Sequence, residues 1–460
     1  MILKLLPMLL TAAMVSLMTA CSGTTGDDFS QASGSSVTEQ ASEVAGSLGD
    51  FRTDAVLEET VLLDEDGVKI TATGLTYTDY EVRVDLTLEN NSGKDLSFVA
   101  GSMGYSCNSV NGYMIDDGYL NCDVAAGKKA SDTISFSYDD LMLYGIDEIA
   151  DLELGIYTTD PSYHSTYYKP LQLKTSAYET HDYSTDHYQN TITSGAAKHT
   201  YGYQMDQFSK EAQYDKNGVK LLSSGVMTKR DGTTVILLEV QNTADKPIYL
   251  TTSHIVINGL LVEDSTWSSD AINPGKSRIV DVQLSSVMSQ EYQKAYGISE
   301  VGSVSISLGQ KDEKGRELFA GTPIEITVPG GKAQFNADGA EVYNNGGLRI
   351  VSKGVVEDGL EYSSMMHVLL LVENNSGRTL SVGDKYNSLS VNGYMTDYIC
   401  YTQELKDGET AIFPIDLWKS SLEKNQITSA EEIQEVEVSL EIKEGYTSVG
   451  QPKLTLSFEK

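Results

Sequence analysis

Positive charge is scarce in this chain: 33 Lys and Arg stand against 66 Asp and Glu, a formal net charge of -33. Proteins that hold a phosphate backbone do so through a basic footprint, so nucleic acid is excluded as an expected partner. Solubility and mutual repulsion account for the acidic surface without any site. Several reaction motifs are also missing: no glycine loop for nucleotide phosphates, no HExxH and no GxSxG elbow. The acidic composition supplies carboxylate pairs by chance, and without their separation they name no reaction. The expectation is therefore a protein that is not an enzyme and carries no cofactor, with an envelope hydrolase as the most distant alternative. No second long apolar run follows the N-terminal one, so no spanning helix is expected in the remainder.

What is present begins with MILKLLPMLLTAAMVSLMTAC, with one lysine, an apolar core and small residues before Cys21. Residues 1–20 read as a signal peptide. Leu17-Met18-Thr19-Ala20-Cys21 resembles a bacterial lipobox, with Cys21 as the lipid attachment site, and such an anchor holds a chain on the extracellular membrane face. Residues 21–55 are rich in Ser, Gly, Thr and acids and poor in large apolar side chains, as expected of a flexible stalk.

The chain then repeats. ENNSG at Glu89–Gly93 and Glu373–Gly377 is matched by the looser Asn242-Thr243-Ala244. VNGYM at Val110–Met114 and Val391–Met395 is matched by Ile257-Asn258-Gly259-Leu260-Leu261. These landmarks place three modules at 56–176, 211–330 and 334–460, each long enough for its own core. Val82, Val84, Leu86 and Leu88 alternate with polar residues, the pattern of a strand with one wet face. Val235 to Val240 and Val368 to Val372 are more continuously apolar, interrupted in the first only by Glu239, as in a strand covered on both faces or one in a sheet core. The expected fold is all-β, three tandem immunoglobulin-like β-sandwich modules, each with a short helix. The helical segments are SYDDLMLYGI, SSVMSQEYQKAYGI and LWKSSLEKNQI.

Asn-Gly between apolar runs is a hairpin signal, so both recurring motifs read first as structural turns. Asn111, Tyr113 and Met114, with Asn392, Tyr394 and Met395, are also candidate binding loops, because the outer modules share them and the middle one has Leu260 and Leu261. Cys107 and Cys122 flank the first turn and are candidates for a disulfide in an exported protein, with separate thiols as the alternative. Cys400 is expected as a buried thiol near the position of Cys122 in its own module. Residues 177–210, rich in Tyr and His, read as an extended polar linker, or as an aromatic surface for glycans. His181, Asp186 and His187 are candidate zinc ligands, and Asp116, Asp117 and Asp123 a candidate calcium set, but neither forms a compact ligand motif. Asp64 to Gly67, Asp215 to Gly218 and Ala337 to Gly339 are expected as equivalent turns. No metal is expected.

The lipobox, polar stalk, NNSG strand exits and VNG turns resemble surface lipoproteins of Gram-positive bacteria that carry immunoglobulin-like domains. The resemblance spans nearly the whole chain after the signal. It implies an extracellular location and binding of a ligand or partner, and it supplies no catalytic residues. The resulting expectation is a lipid-anchored binding protein for an envelope glycan or protein, with a structural assembly lipoprotein as the alternative.

Overall fold

The front sheet of module one shows how the pattern becomes structure. In strand Glu81–Asn90, Val82, Val84, Leu86 and Leu88 are buried while Arg83, Asp85, Thr87 and Glu89 are half-buried. The coordinates are those of a computed structural model, which describes residues 48–101, 108–211, 214–263, 267–284, 289–311, 316–357 and 364–458. The signal, Cys21, most of the stalk and Cys107 lie outside the described residues, and the cystine expectation with them.

Each module packs two β-layers around a core, giving the all-β sandwich with a short helix in each module. In module one an antiparallel sheet of Thr60–Glu65, Val68–Tyr77, Glu81–Asn90 and Lys128–Ser137 shares its core with back strands that include Leu96–Ala100, Leu120–Val124 and Asp151–Leu154. The helices are Tyr138–Leu143, Gln290–Tyr296 and Lys419–Glu423. Ser137 and Ser289 cap the first two with their hydroxyls, each satisfying a backbone N–H that has no partner inside the helix.

Sheets run from module to module. The back hairpin of module one pairs in parallel with strand Ser277–Gln283 of module two, Tyr113 opposite Ser277. Strand Leu260–Glu263 of module two pairs the same way with Thr410–Trp418 of module three, Leu260 opposite Thr410 and Leu261 opposite Ala411. The more apolar strands have the two-sided burial that their composition implies: Leu237 lies under the segment joining modules one and two, and Leu369 and Leu371 join the core of module two.

Three local expectations need correction. Residues 177–210 are not an extended linker. They form helices His187–Thr193 and Gly195–Tyr201 and strand Tyr203–Ser209, because Asp186 and Ser194 supply N-caps and Tyr188, Ile192 and Tyr203 have an apolar face to cover on Val235 and Leu237. The turn equivalent to Asp66-Gly67 and Asn217-Gly218 is Gly346-Gly347, not Ala337 to Gly339; all three pairs have positive φ, at 52° and 78°, 56° and 81°, and 61° and 84°. Cys400 does not match Cys122. Val124 pairs with Leu96, and Leu405 with Leu380, so the register sets Cys122 against Gln403.

Candidate functional site

The strand-exit asparagine does the same work three times. Asn90 Nδ2 donates to Lys94 O at 2.8 Å and Val124 O at 2.7 Å, while Oδ1 accepts from Ser92 N at 3.0 Å. Asn242 bonds Lys246 O, Ile272 O and Ala244 N at 2.9, 2.7 and 2.8 Å. Asn374 bonds Arg378 O, Leu405 O and Ser376 N at 2.7, 2.9 and 3.1 Å. These partners are backbone in all three modules, so the stitch survives where Thr243-Ala244 stand for Asn91-Ser92 and Asn375-Ser376; module two lacks only the extra bond from a serine hydroxyl to Oδ1, made by Ser92 at 2.6 Å and Ser376 at 2.7 Å. A buried amide that spends both ends on the main chain stitches strand exit to back sheet.

The second asparagine is equally structural. Asn111, Asn258 and Asn392 have φ of 45°, 54° and 49°, and the glycines after them 90°, 86° and 81°, the two left-handed positions of a tight hairpin. Asn111 Nδ2 donates to Glu148 O at 2.8 Å, and its Oδ1 accepts from Ala150 N and Asp151 N at 2.8 and 3.1 Å. Asn258 makes the same set with Glu300 O, Gly302 N and Ser303 N at 2.8, 2.8 and 3.1 Å. Asn392 repeats it with Glu432 O, Gln434 N and Glu435 N at 2.9, 2.8 and 3.1 Å.

The two residues after the glycine divide the copies. In the first hairpin Gly112 O accepts from Ser277 N at 2.9 Å. The Tyr113 hydroxyl lies 3.1 Å from Glu239 Oε1, and Met114, 0% exposed, is part of the core of module two. In the second hairpin Leu261, 1% exposed, enters the core of module three. In the third, Tyr394 is 55% and Met395 62% exposed. The structure thus groups the first hairpin with the second: in the Leu-Leu of module two, which at first sight sets it apart, Leu261 takes the part of Met114 in the next module's core while Leu260 stays in the core of module two. As a binding loop, Tyr113-Met114 is already occupied by its own chain; Tyr394-Met395 faces outward.

The first joint is polar around that apolar plug. Glu239, 1% exposed, accepts from Gln189 Nε2 at 2.8 Å and Ser223 Oγ at 2.7 Å. Burial pushes its carboxyl above the usual range, and Asp186 adds to the shift. Burial likewise raises the Tyr113 phenol. Lys276 Nζ stands 3.8 Å from Asp151 Oδ1 and 3.7 Å from Glu153 Oε2, and Arg278 Nη2 meets Asp116 Oδ1 at 2.5 Å. These ion pairs tie module one to module two.

The remaining candidates do not converge. Asp116 is engaged by Arg278, Asp117 accepts from Gly118 N and Ser137 N at 2.7 and 2.9 Å, and Asp123 accepts from Ser97 Oγ. Asp186 caps a helix through Gln189 N at 2.8 Å, and His187 Nε2 lies 3.0 Å from Asp182 O. Among the described residues no cluster of His, Cys, Asp and Glu has metal-site geometry. The Cys122 thiol is pushed up to about 11 by burial, then by Asp132, and burial also raises Cys400, so neither has thiolate character. Sequence reasoning missed Tyr386 and Tyr401, both exposed, on neighbouring segments joined where the Tyr398 hydroxyl donates to Asp384 Oδ2 at 2.5 Å.

No known protein family matches the chain, and no curated protein does. Among solved structures, a Porphyromonas gingivalis protein of unknown function is similar at 12% identity and TM-score 0.14, over 49% of this chain and 91% of its own. A red sea bream transglutaminase is similar at 10% and 0.14, over 59% of this chain and 31% of its own. A bacterial ice-binding adhesin is similar at 11% and 0.13, over 81% and 88% respectively. Scores of this size carry no argument about what this chain does.

Proposed function

We propose that this is a lipid-anchored, extracellular binding protein without enzymatic activity. In this reading Cys21 carries the lipid, the stalk lifts the three modules from the bacterial membrane, and the third hairpin presents Tyr394 and Met395 to an envelope partner. The observation that supports it is the difference between the copies: two hairpins sit on a strand edge of the next module, and the third holds an aromatic and a thioether in solvent. Because the first two copies seat on protein, a protein partner is favoured over a glycan. The exposed Tyr386 and Tyr401 keep a stacking surface for glycans as the second reading.

The test uses the processed chain with Cys21→Ser, applied to arrays of envelope glycans and peptidoglycan fragments and, in parallel, crosslinked on intact cells that express the lipidated form. A specific crosslinked protein or saturable glycan binding, lost in Tyr394→Ala/Met395→Ser, is the expected result. Binding that persists in that double variant removes the hairpin from the reading.

A further inference from the structure

Modules two and three differ along one sheet edge. In module two, strand Val219–Lys229 is paired on its outer side by Tyr214–Lys216 and then, from Ser224 onward, by Tyr203–Ser209, an antiparallel segment of the joining region. The equivalent strand of module three, Leu348–Glu357, is paired by Ala340–Asn345 only as far as Ser352. Among the described residues no strand follows along Gly354 to Glu357. Gly225 pairs with Leu237 and Gly354 with Leu369, each partner five residues before its strand-exit asparagine, so the two glycines are the same position.

The space beside them shows what is absent. A Cβ at Gly225 would stand 2.9 Å from Phe208 Cδ2 and 3.0 Å from Gln207 O, whereas one at Gly354 would meet nothing within 4 Å. A groove of about 790 Å³ runs there, with Val355 and Val356 among its lining and Lys294 and Ala295 of the preceding module's helix on a wall. Its charge is polar along the strand. Lys353 marks one end, bonded through Nζ to Asn336 O at 3.0 Å and to Asp338 O. Glu431 marks the other, beside Glu357, whose carboxylate is already held by Ala430 N at 3.0 Å and Lys419 Nζ at 3.1 Å.

We infer that the open edge from Lys353 to Glu357 binds an extended peptide segment of a partner protein by antiparallel strand addition, as Tyr203–Ser209 does to the equivalent edge of module two. Main-chain hydrogen bonds supply the affinity and side-chain pockets the selection. Gly354 to Glu357 spans about 14 Å at the rise of a strand, room for a segment of roughly four to six residues. The template register puts an aromatic residue over Gly354, and the groove's charges select a basic residue at the segment's N-terminal end beside Glu431 and an acidic one at its C-terminal end beside Lys353. This extends the ten-stranded sheet that already links modules two and three, and it is a site apart from Tyr394 and Met395.

The probe is a fluorescent peptide, Lys-Met-Asp-Gln-Phe-Glu, titrated into the Cys21→Ser chain by anisotropy, with amide hydrogen exchange read in parallel. In the free chain the amides of residues 354–357 are expected to exchange faster than those of 225–228, and to slow when peptide is added. Replacing the peptide's Phe by Ala weakens binding about tenfold, the scale of one buried aromatic contact. Exchanging the terminal Lys and Glu of the peptide weakens binding to the parent chain, and Glu431→Lys restores it. Tyr394→Ala/Met395→Ser leaves peptide binding unchanged, which separates this site from the hairpin. The inference is overturned if 354–357 are already as protected as 225–228, if a scrambled peptide binds equally, or if no saturation is reached at millimolar peptide.

Discussion

A single side chain type, the left-handed asparagine of the hairpin, carries a disproportionate share of each module's order. Asn258 is 5% exposed and makes hydrogen bonds to Glu300 O, Gly302 N and Ser303 N. Asn258→Ala strands buried backbone groups and puts a methyl-bearing residue where asparagine is better tolerated, at a cost of about 2–4 kcal/mol. The first urea-unfolding midpoint should fall accordingly, and an unchanged midpoint would show that water replaces the amide. Glu239 gives a second prediction at this scale. Its folded-state pKa is raised by burial, so the stability it confers is fully present below its unfolded value and is lost as pH rises through the folded one. Glu239→Gln should be more stable than the parent at pH 7, with the difference shrinking as pH is lowered. A Gln variant that is less stable at neutral pH would mean that the carboxylate's hydrogen bonds outweigh its desolvation.

Hairpins that look alike in sequence separate by what covers them. Met114→Ala and Leu261→Ala each open a hole in the core of the following module and should cost about 2–5 kcal/mol. Met395→Ala, made at an exposed site, should stay within about 0.5 kcal/mol of the parent. Thermal unfolding of the three variants side by side checks this, and a large effect at Met395 would mean that the third hairpin is covered. Much of the module was legible beforehand: the alternation from Val82 to Leu88 is a burial pattern written in the chain, and the Asn-Gly pairs name their own backbone conformation. The joints were not legible. Tyr-Met and Leu-Leu are chemically unlike as a motif yet equivalent as apolar plugs, and no local pattern states that the next module supplies the socket. The segment 177–210 was misread for a related reason, since its helices are short and hold through Tyr188 and Tyr203 on Val235 and Leu237 rather than through their own periodicity.

The three modules form a series whose two outer faces are polar where the inner ones are apolar. On the front sheets, the outward positions seven and five residues before the strand-exit asparagine are Val235 and Leu237 in module two, and His367 and Leu369 in module three, where the preceding module's helix packs. In module one they are Arg83 and Asp85, both half-buried. At the other end, Leu143-Tyr144 and Ala295-Tyr296 cover the next module, but the residues in the same register after the last helix are Lys424-Asn425. Polar terminal faces are how repeat arrays stop growing, so the exposed Tyr394 and Met395 are not the leftover half of a head-to-tail chain of copies. The chain from residue 21 onward, with Cys21→Ser, should sediment as a monomer at micromolar concentration. Giving module one the outward residues of module two, Arg83→Val with Asp85→Leu, should expose an apolar sheet face next to the edge strand Lys128–Ser137 and produce concentration-dependent association. Sedimentation velocity distinguishes these outcomes. Oligomers in the parent that vanish in Tyr394→Ala/Met395→Ser would show that the third hairpin takes a second copy of this chain, in place of the proposed envelope partner.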